Sequence, residues 1–170
     1  MSLQHKLYRA VRPDGIVAFR ILFGAIMLWE VYRYFDSGWI PRYWIEPIFN
    51  FKYGGFFWVE PLPGDGMFWL FYLLGLLSIF IMFGFLYRFS TVLFFLIFTY
   101  TFLLEQARYL NHFYLVILLS FLLIFIPAHR SFSVDARLFP KIRRDWIPSW
   151  SLWLLRLQIG IVYFFGGVAK

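Results

Sequence analysis

Residues 66–87 have the sequence GMFWLFYLLGLLSIFIMFGFLY, and this stretch decides the fold class. It carries no charge, and the nearest charged residues are Asp65 before it and Arg88 after it. A helix needs about 20 consecutive apolar residues to cross the hydrocarbon core of a bilayer. The stretch therefore predicts a membrane-spanning helix.

Four other stretches are apolar enough to predict further spans. Together with the first, they place spans at about residues 15–35, 67–87, 90–110, 112–128 and 150–169. We therefore predict an all-α protein, a polytopic transmembrane helical bundle of about five spanning helices. These helices form a single transmembrane domain over residues 1–170.

The composition of the chain agrees with this fold class. Of its 170 residues, 62% are hydrophobic, 25% are aromatic and only 15% are charged. Soluble domains average about 45–50% apolar and about 25% charged residues, and a soluble protein of this size cannot bury so much apolar surface. The chain has no cysteine, so disulfides and thiolate nucleophiles are excluded. A soluble enzyme, a disordered tail and a disulfide scaffold are therefore excluded.

The basic residues indicate how the chain crosses the membrane. With five spans, nine of the 16 Lys and Arg residues fall in the N-terminus and in the second and fourth connections. Four fall in the other connections and at the C-terminus, and three lie within spans. Loops rich in Lys and Arg stay in the cytoplasm. The N-terminus and loop 129–149 are thus predicted to be cytoplasmic, and loop 36–65, Asn111 and Lys170 to face outward.

Charge at membrane depth is expensive and often marks function, but each charged residue here also has a structural interpretation. Arg20 and Arg156 lie near the inner ends of their spans, where a long side chain can extend to the headgroups. Two pairs near the outer ends are spaced i,i+3 and are predicted to form ion pairs. They are Glu30 with Arg33, and Glu105 with Arg108.

The outer loop 36–65 is rich in aromatic residues. They are Trp39, Tyr43, Trp44, Phe49, Phe51, Tyr53, Phe56, Phe57 and Trp58. One interpretation is an aromatic belt at the membrane–water interface. The other is an amphipathic segment that covers a binding site for a flat apolar ligand.

Two polar residues, Asn111 and His112, open the fourth span. Asparagine is a favoured N-cap, so Asn111 is predicted to cap this helix and His112 to be its first helical residue. His112 is then either an ordinary interfacial side chain or a group that exchanges protons near neutral pH.

The last span carries a stripe of small and polar residues on one helix face. The stripe consists of Arg156, Gly160, Tyr163, Gly167 and Lys170. Such a stripe lets either a neighbouring helix or a ligand approach the backbone closely. Lys170 follows the pair Gly166-Gly167 and is predicted to lie on the same side as Asn111 and His112. A lysine in an apolar setting can act as a base.

The sequences of several segments resemble those of a known protein family. NHFYL at 111–115 is followed by HRSFSVD at 129–135, and LRLQIGIVYFFGGVAK at 155–170 ends the chain. In order and spacing these segments resemble the vitamin K-dependent gamma-glutamyl carboxylase family, including bacterial members with the same transmembrane domain. The resemblance is weaker but consistent over residues 13–110, where RILFG at 20–24 begins the first span.

The resemblance implies an integral membrane enzyme of a bacterial inner membrane or the endoplasmic reticulum, with an extracytoplasmic active side. Family members oxidise reduced vitamin K, a hydroquinone, to its epoxide with molecular oxygen. This reaction drives addition of carbon dioxide to a peptide glutamate. By residue matching, Lys170 is the expected base and His112 a second catalytic residue. The residues expected to bind the quinone are Asn111, Tyr163, Gly166, Gly167 and Trp44.

One departure from the family is large, because its members continue past this lysine with more helices and an extracytoplasmic domain for the glutamate peptide. The chain is therefore expected to be an N-terminal part of a longer protein. The expected partners are the lipid bilayer, a quinone and a glutamate-containing peptide, but no nucleic acid. Two other functions stay open, a quinone-binding redox subunit without carboxylation and a structural membrane module.

Overall fold

The computed structural model describes residues 7–168, which form an all-α structure as predicted. Its α-helices are α1 (Asp14–Asp36), α2 (Gly66–Phe83), α3 (Tyr87–Leu103), α4 (Asn111–Phe125), α5 (Val134–Leu138) and α6 (Trp150–Val168). The connections contain a π-helical turn at Pro41–Ile45 and 3-10 turns at Gln106–Arg108 and Pro140–Ile142. Two short strands, β1 (Ala10–Val11) and β2 (Ile147–Pro148), pair in antiparallel orientation.

Each of the five predicted spans overlaps one of the longer helices. α1, α2 and α6 are long and apolar enough to cross a membrane. α3 and α4 are shorter apolar helices of 17 and 15 residues, which makes them about 25 and 23 Å long at 1.5 Å per residue. Length and composition therefore support three crossings, and the crossings of α3 and α4 stay predictions.

The core of the bundle forms where α1 and α2 approach each other at Gly24. A Cβ atom at Gly24 would lie 2.7 Å from the Cβ of Met82 and from the carbonyl oxygen of Ser78. Only glycine permits so close an approach. α3 adds Phe94, which is fully buried and lies edge-on to Phe23 of α1 with ring centroids 5.7 Å apart. α4 packs on the other side of α3.

α6 joins this core through its first half. Ser151 and Leu155 are buried, whereas the second half, residues 160–168, is exposed. Such an apolar, uncovered half-helix is suited to contact with lipid or with other protein.

Two helices end four or more residues earlier than the sequence predicts. α2 ends at Phe83 because Gly84 takes a left-handed conformation with φ of 65°, which is a common way to end a helix. α3 ends at Leu103 and not near residue 110, because Glu105 is extended and Gln106–Arg108 form a separate turn. No glycine or proline marks this second end in the sequence.

The connections meet at two opposite ends of the bundle. We call the basic end the surface formed by residues 7–13, 84–86 and 126–149, and the aromatic end the surface formed by residues 37–65 and 104–110. At the basic end, β1 pairs with β2 and the amide of Asp135 donates to the carbonyl oxygen of Gly84 at 3.0 Å. At the aromatic end, the amide of Gln106 donates to the carbonyl oxygen of Phe51 at 2.7 Å. The connections that the Lys and Arg count assigned to one side of the membrane therefore do meet at one end of the bundle. Which of the two ends faces the cytoplasm stays a prediction.

Arg20 is fully buried at the basic end, so the prediction that its side chain extends to the headgroups is wrong. Its Nη1 donates to the carbonyl oxygen of Ala128 at 2.7 Å, and its Nη2 donates to that of Phe132 at 2.6 Å. These carbonyls belong to the chain that leaves α4, where no helix supplies a donor. Arg20 therefore fastens this connection to α1. Arg156 is exposed, with its guanidinium 5.8 Å from the ring centroid of Trp153.

Candidate functional site

A cavity of about 300 Å³ opens at the aromatic end, where four helices and two connections converge. The end of α1, the π-helical turn, the start of α2, the end of α3 and the start of α4 all contribute to its wall. Its aromatic lining residues are Tyr34, Trp39, Tyr43, Trp44, Phe71, Phe98, Phe102 and Phe113. We call this space the aromatic cavity.

Tyr34 lies at the centre of the aromatic wall. Its ring stacks on Trp44 with centroids 5.6 Å apart and planes 26° apart. It also contacts Phe71 at 4.9 Å, Trp39 at 5.3 Å and Phe113 at 6.5 Å. Offset and edge-on contacts of this kind stabilise one arrangement of the rings. The wall is thus a set of interlocking flat surfaces drawn from α1, α2, α4 and the loop.

Trp44 brings an unused hydrogen-bond donor to this wall. Its side chain is 7% exposed, and its Nε1 has no hydrogen-bond partner within residues 7–168. A buried donor without a partner carries a free-energy penalty of about 1–3 kcal/mol. An oxygen atom of a bound molecule would remove that penalty, so Trp44 favours a ligand that is flat and also accepts a hydrogen bond.

Two arginines line the cavity and lie on aromatic rings. The Arg33 guanidinium is 5.1 Å from the ring centroid of Trp39, and it pairs with Glu30 at 2.9 Å, as predicted. The Arg108 guanidinium lies 2.9 Å from the ring centroid of Tyr43. Cation–π contacts of this kind hold the positive charges against the rings. Polar groups therefore occur within an otherwise apolar site.

The predicted ion pair between Glu105 and Arg108 is wrong. Glu105 Oε1 accepts instead from the amide of Ala107 at 3.0 Å and from the amide of Phe51 at 3.2 Å. The i,i+3 spacing brings two side chains together only on a continuous helix, and α3 ends before Glu105. Glu105 therefore joins the outer loop to the end of α3 and so fixes one side of the cavity.

A second contact between the loop and α3 reinforces this link. The Tyr53 ring stacks on Phe102 with centroids 5.4 Å apart and planes 23° apart. Burial raises the pKa of the Tyr53 hydroxyl above its usual value, and the charges of Tyr109 and Glu105 act in the same direction. Tyr53 is therefore a neutral packing residue at physiological pH.

The aromatic residues in the two halves of the outer loop differ in their exposure. Trp39, Tyr43 and Trp44 line the cavity. The second half is exposed, with Phe49 at 69%, Phe57 at 72% and Trp58 at 77%. The first half thus lines the aromatic cavity, and the second half has the exposure expected of an interfacial belt. That the first half covers a ligand-binding site stays a prediction.

His112 and Trp44 lie far apart in the sequence, yet both line the aromatic cavity. The His112 ring is exposed and lies edge-on to Phe113, with centroids 4.6 Å apart. Asn111 is the first residue of α4 rather than its cap, because Leu110 occupies the N-cap position with no side-chain hydrogen bond. The predicted capping role of Asn111 is therefore wrong, and Asn111 is exposed next to the cavity-lining residue His112.

The predicted residues of the last span lie elsewhere in the described structure. Tyr163, Gly166 and Gly167 are on the exposed half of α6 and do not line the aromatic cavity. A Cβ atom at either glycine would meet nothing within 4 Å among the described residues. Lys170 lies outside the described residues. The roles assigned to these four residues stay predictions.

The sequence did not single out Tyr34, Phe71 or Phe98 as site residues. Phe71 and Phe98 occur within uniform apolar spans, where nothing distinguishes a cavity-facing ring from a lipid-facing one. Tyr34 had a usable signal, because it follows Glu30 by four residues and so shares its helix face. A polar aromatic residue on the face of a membrane ion pair is a reasonable candidate for a site.

Comparison with known proteins gives one family match. The model of the HTTM domain matches residues 8–170, which includes every wall of the aromatic cavity. No solved structure matches the chain.

Proposed function

The chain belongs to the HTTM domain family, and from this membership and the aromatic cavity we propose that it binds a reduced naphthoquinone of the vitamin K type. The domain is found in vitamin K-dependent carboxylase and related proteins, so a vitamin K-related membrane function follows in general terms. The finer proposal is a carboxylase-type reaction at the aromatic end. Lys170 is its base on the hydroquinone, and His112 is a catalytic residue at the cavity.

One observation carries the proposal. Trp44 and His112 come from segments about 70 residues apart and line a single cavity with flat aromatic walls. Ligand sites are typically concave, mostly apolar and supplied with a few polar groups, with volumes from about 300 Å³ upward. The aromatic cavity meets each of these conditions.

The residues present fit a naphthoquinone head group. Tyr34 and Phe71 offer ring faces for a fused aromatic system, and stacking of this kind is favourable. The unpaired Nε1 of Trp44 can donate to a quinone oxygen. The charged lining residues are two arginines and two glutamates, and the charge of Arg33 is balanced by Glu30 at 2.9 Å. The Arg108 guanidinium can also donate to a quinone oxygen.

The chemistry in the proposal divides between ligand and protein. When bound and oxidised by molecular oxygen, the reduced quinone supplies a base strong enough to start carboxylation of a peptide glutamate. The chain's residues hold the ring, exclude water and remove the hydroquinone proton, which the Lys170 Nζ accepts. A lysine works best as such a base when an apolar setting lowers its pKa. Water exclusion by the aromatic walls protects the reactive group from quenching.

Binding is tested first, because it does not require the whole reaction. The protein in detergent is incubated anaerobically with vitamin K hydroquinone, and the retained ligand is measured by mass spectrometry. Trp44→Phe keeps a ring but removes the donor, so we expect about tenfold weaker retention. The matched control is Trp58→Phe, which changes an exposed tryptophan that does not line the cavity. Equal retention by all three proteins would remove the cavity as the quinone site.

Catalysis is tested on the full-length protein with the HTTM domain intact. We expect Lys170→Ala to abolish epoxide formation and Trp58→Phe to preserve it. Incorporation of labelled carbon dioxide into a glutamate peptide separates the carboxylase from a redox subunit, because the latter oxidises quinone without carboxylation. Normal epoxidation by Lys170→Ala would disprove the assigned base. No quinone binding together with unchanged assembly would favour a structural module.

A further inference from the structure

The basic end contains a buried positive charge without a neutralising partner. Arg20 is fully buried, and its two hydrogen bonds go to neutral carbonyl oxygens. No carboxylate of residues 7–168 lies within 4.0 Å of the Arg20 guanidinium, because all the ion pairs within these residues are formed by other arginines. Its Nε also has no hydrogen-bond partner among these residues. Burying an unpaired charge is costly, and buried charges in proteins are ordinarily paired.

Asp135 does not fill this role. Asp135 interacts electrostatically with Arg20, but its carboxylate is engaged by the backbone at the start of α3. Oδ1 accepts from the amide of Leu86 at 2.8 Å, and Oδ2 accepts from the amide of Tyr87 at 2.9 Å. Asp135 therefore serves to hold the turn between α2 and α3. Among the described residues, Arg20 therefore has no carboxylate partner of its own.

A second cavity, of about 570 Å³, lies against Arg20. Its polar wall adds two more arginines, Arg137 and Arg143, and the hydroxyl residue Ser131. Its other wall is apolar and includes Ile21 of α1 and Phe83 of α2. Ile21 is 40% exposed and Phe83 is 55% exposed, so this wall continues onto the outer surface of the bundle. We call this space the basic cavity.

We propose that the basic cavity binds the phosphate headgroup of an anionic phospholipid, whose acyl chain lies along the exposed apolar wall. Arginine suits phosphate because its planar guanidinium presents several donors that match phosphate oxygens. The carboxylate of Asp145 lies 3.9 Å from Arg143 and is exposed to solvent, so the three arginines leave an excess of positive charge that favours an anion. The apolar wall favours a ligand with an apolar part, such as an acyl chain, which a free phosphate ion lacks. Basic pockets between membrane helices are known to bind anionic headgroups.

The bound headgroup would also explain how Arg20 is accommodated at membrane depth. The phosphate supplies the counter-charge that Asp135 does not, and it joins α1 to the connection that contains Arg137 and Arg143. The ligand thus acts as a structural element of the basic end. This site is separate from the aromatic cavity, since the lining residues of the two cavities do not overlap.

The test uses the protein in phosphatidylcholine nanodiscs with a few per cent of phosphatidylglycerol, and native mass spectrometry counts the retained lipids. The double variant Arg137→Gln/Arg143→Gln removes two lining charges and leaves Arg20 in place. The matched control Lys141→Gln/Arg144→Gln removes two charges from the same connection, and neither residue lines the cavity. The residues changed in both pairs are exposed, and thermal unfolding checks that both variants fold.

We expect phosphatidylglycerol retention to fall about tenfold or more in the lining variant, since each basic residue contributes about 1 kcal/mol near an anionic lipid. The control pair should retain the lipid as the unmodified protein does. Equal loss in both pairs would mean a general surface attraction and would overturn the proposal. Equal retention of phosphatidylcholine would overturn it as well. Displacement of phosphatidylglycerol by inorganic phosphate at equal concentration would assign the site to a free ion and not to a lipid.

Discussion

At the scale of single residues, Arg20 shows how one side chain can organise a whole end of the bundle. It donates from α1 to two carbonyl oxygens of the chain that follows α4. Hydrogen bonds from a charged donor contribute about 1.5–3 kcal/mol each. Arg20→Ala would leave both carbonyls without these donors and would create a cavity. We expect it to lower the free energy of unfolding by about 3–5 kcal/mol, measured by thermal and denaturant unfolding in detergent.

Arg156→Ala is the control for this prediction, because Arg156 is also an arginine within a predicted span. Its side chain is exposed and makes only a long contact with the Trp153 ring. Its removal should change stability by less than about 1 kcal/mol. If both variants lost stability equally, the hydrogen bonds of Arg20 would not be the source of the effect.

His129 gives the basic end a dependence on pH. Burial lowers the pKa of His129 from its ordinary 6.5 to about 4, and the charge of Arg88 acts in the same direction. Between these pH values His129 is protonated in the unfolded chain and neutral in the folded chain. The free energy of unfolding should therefore fall as the pH drops from about 6.5 to about 4, and this loss should be complete below that range. Because His129 is partly exposed, solvent screening reduces the effect to the order of 1 kcal/mol.

The variant His129→Phe isolates this effect. A phenyl ring can keep the stacking on Tyr87, whose ring centroid is 5.1 Å away, but it does not titrate. Unfolding measured from pH 4 to pH 7 should show a shallower pH dependence for His129→Phe. His112→Phe, at an exposed position, should keep the slope of the unmodified protein. An unchanged slope in His129→Phe would show that other groups cause the pH dependence.

At the scale of elements, the turn between α2 and α3 depends on Gly84. Its φ of +65° suits glycine, and a Cβ atom there would lie 2.6 Å from both Arg20 Nη1 and Ser133 Cβ. Gly84→Ala should therefore combine backbone strain of about 1 kcal/mol with displacement of Arg20, for a total loss of about 3 kcal/mol. Gly64→Ala is the matched control, because Gly64 has a φ of +58° and a Cβ atom there meets nothing within 4 Å among the described residues. If Gly84→Ala and Gly64→Ala lowered the free energy of unfolding equally, displacement of Arg20 would not contribute to the loss.

The elements themselves were largely predictable, because a helix in a membrane must be apolar over its whole length. The five apolar segments each overlap a helix, and the i,i+3 pair Glu30–Arg33 forms on α1 as local geometry requires. The end of α3 was not predictable, since it depends on Glu105 accepting from Phe51, a residue 54 positions earlier. The predicted Glu105–Arg108 pair failed for the same reason. Local periodicity cannot report a contact that only tertiary structure creates.

The site was predictable only in part for a related reason. Trp44 and His112 line the aromatic cavity. Trp44 was proposed from the aromatic content of the outer loop, and His112 from the polar pair at a span boundary together with the family resemblance. Their roles as ligand-binding or catalytic residues stay predictions. Tyr34 and Phe71 complete the cavity. Phe71 lies in a uniformly apolar stretch, whereas Tyr34 follows Arg33 directly and shares a helix face with Glu30, a signal that was not used. The fully buried Arg20 was misread because its acceptors follow α4 and are more than 100 residues away. The sequence indicates how deep in the membrane a charged residue lies, but it does not show which groups its side chain contacts.

At the scale of the whole molecule, the bundle has two chemically different ends. One gathers basic residues around the basic cavity, and the other gathers aromatic residues around the aromatic cavity. Headgroup anions and positive-inside topology both favour the basic end on the cytoplasmic side. The quinone of the proposed function, entering from the bilayer, would reach an aromatic cavity near the opposite surface. The two cavities therefore fit one orientation of the chain in the membrane.

This orientation can be tested by cysteine labelling, because the chain contains no cysteine. Gly54→Cys and Ala107→Cys each place a thiol at an exposed position of the aromatic end, and Lys141→Cys places one at the basic end. If α1 to α4 all cross, a membrane-impermeant maleimide should label the first two variants in intact cells, and Lys141→Cys only after permeabilisation. The Ala107 position is decisive for α3 and α4, which are about 25 and 23 Å long against a hydrocarbon core of about 30 Å. Such short helices cross only if the bilayer thins or flanking side chains reach the headgroups. Labelling of Ala107→Cys together with Lys141→Cys, and not with Gly54→Cys, would show that α3 and α4 do not cross.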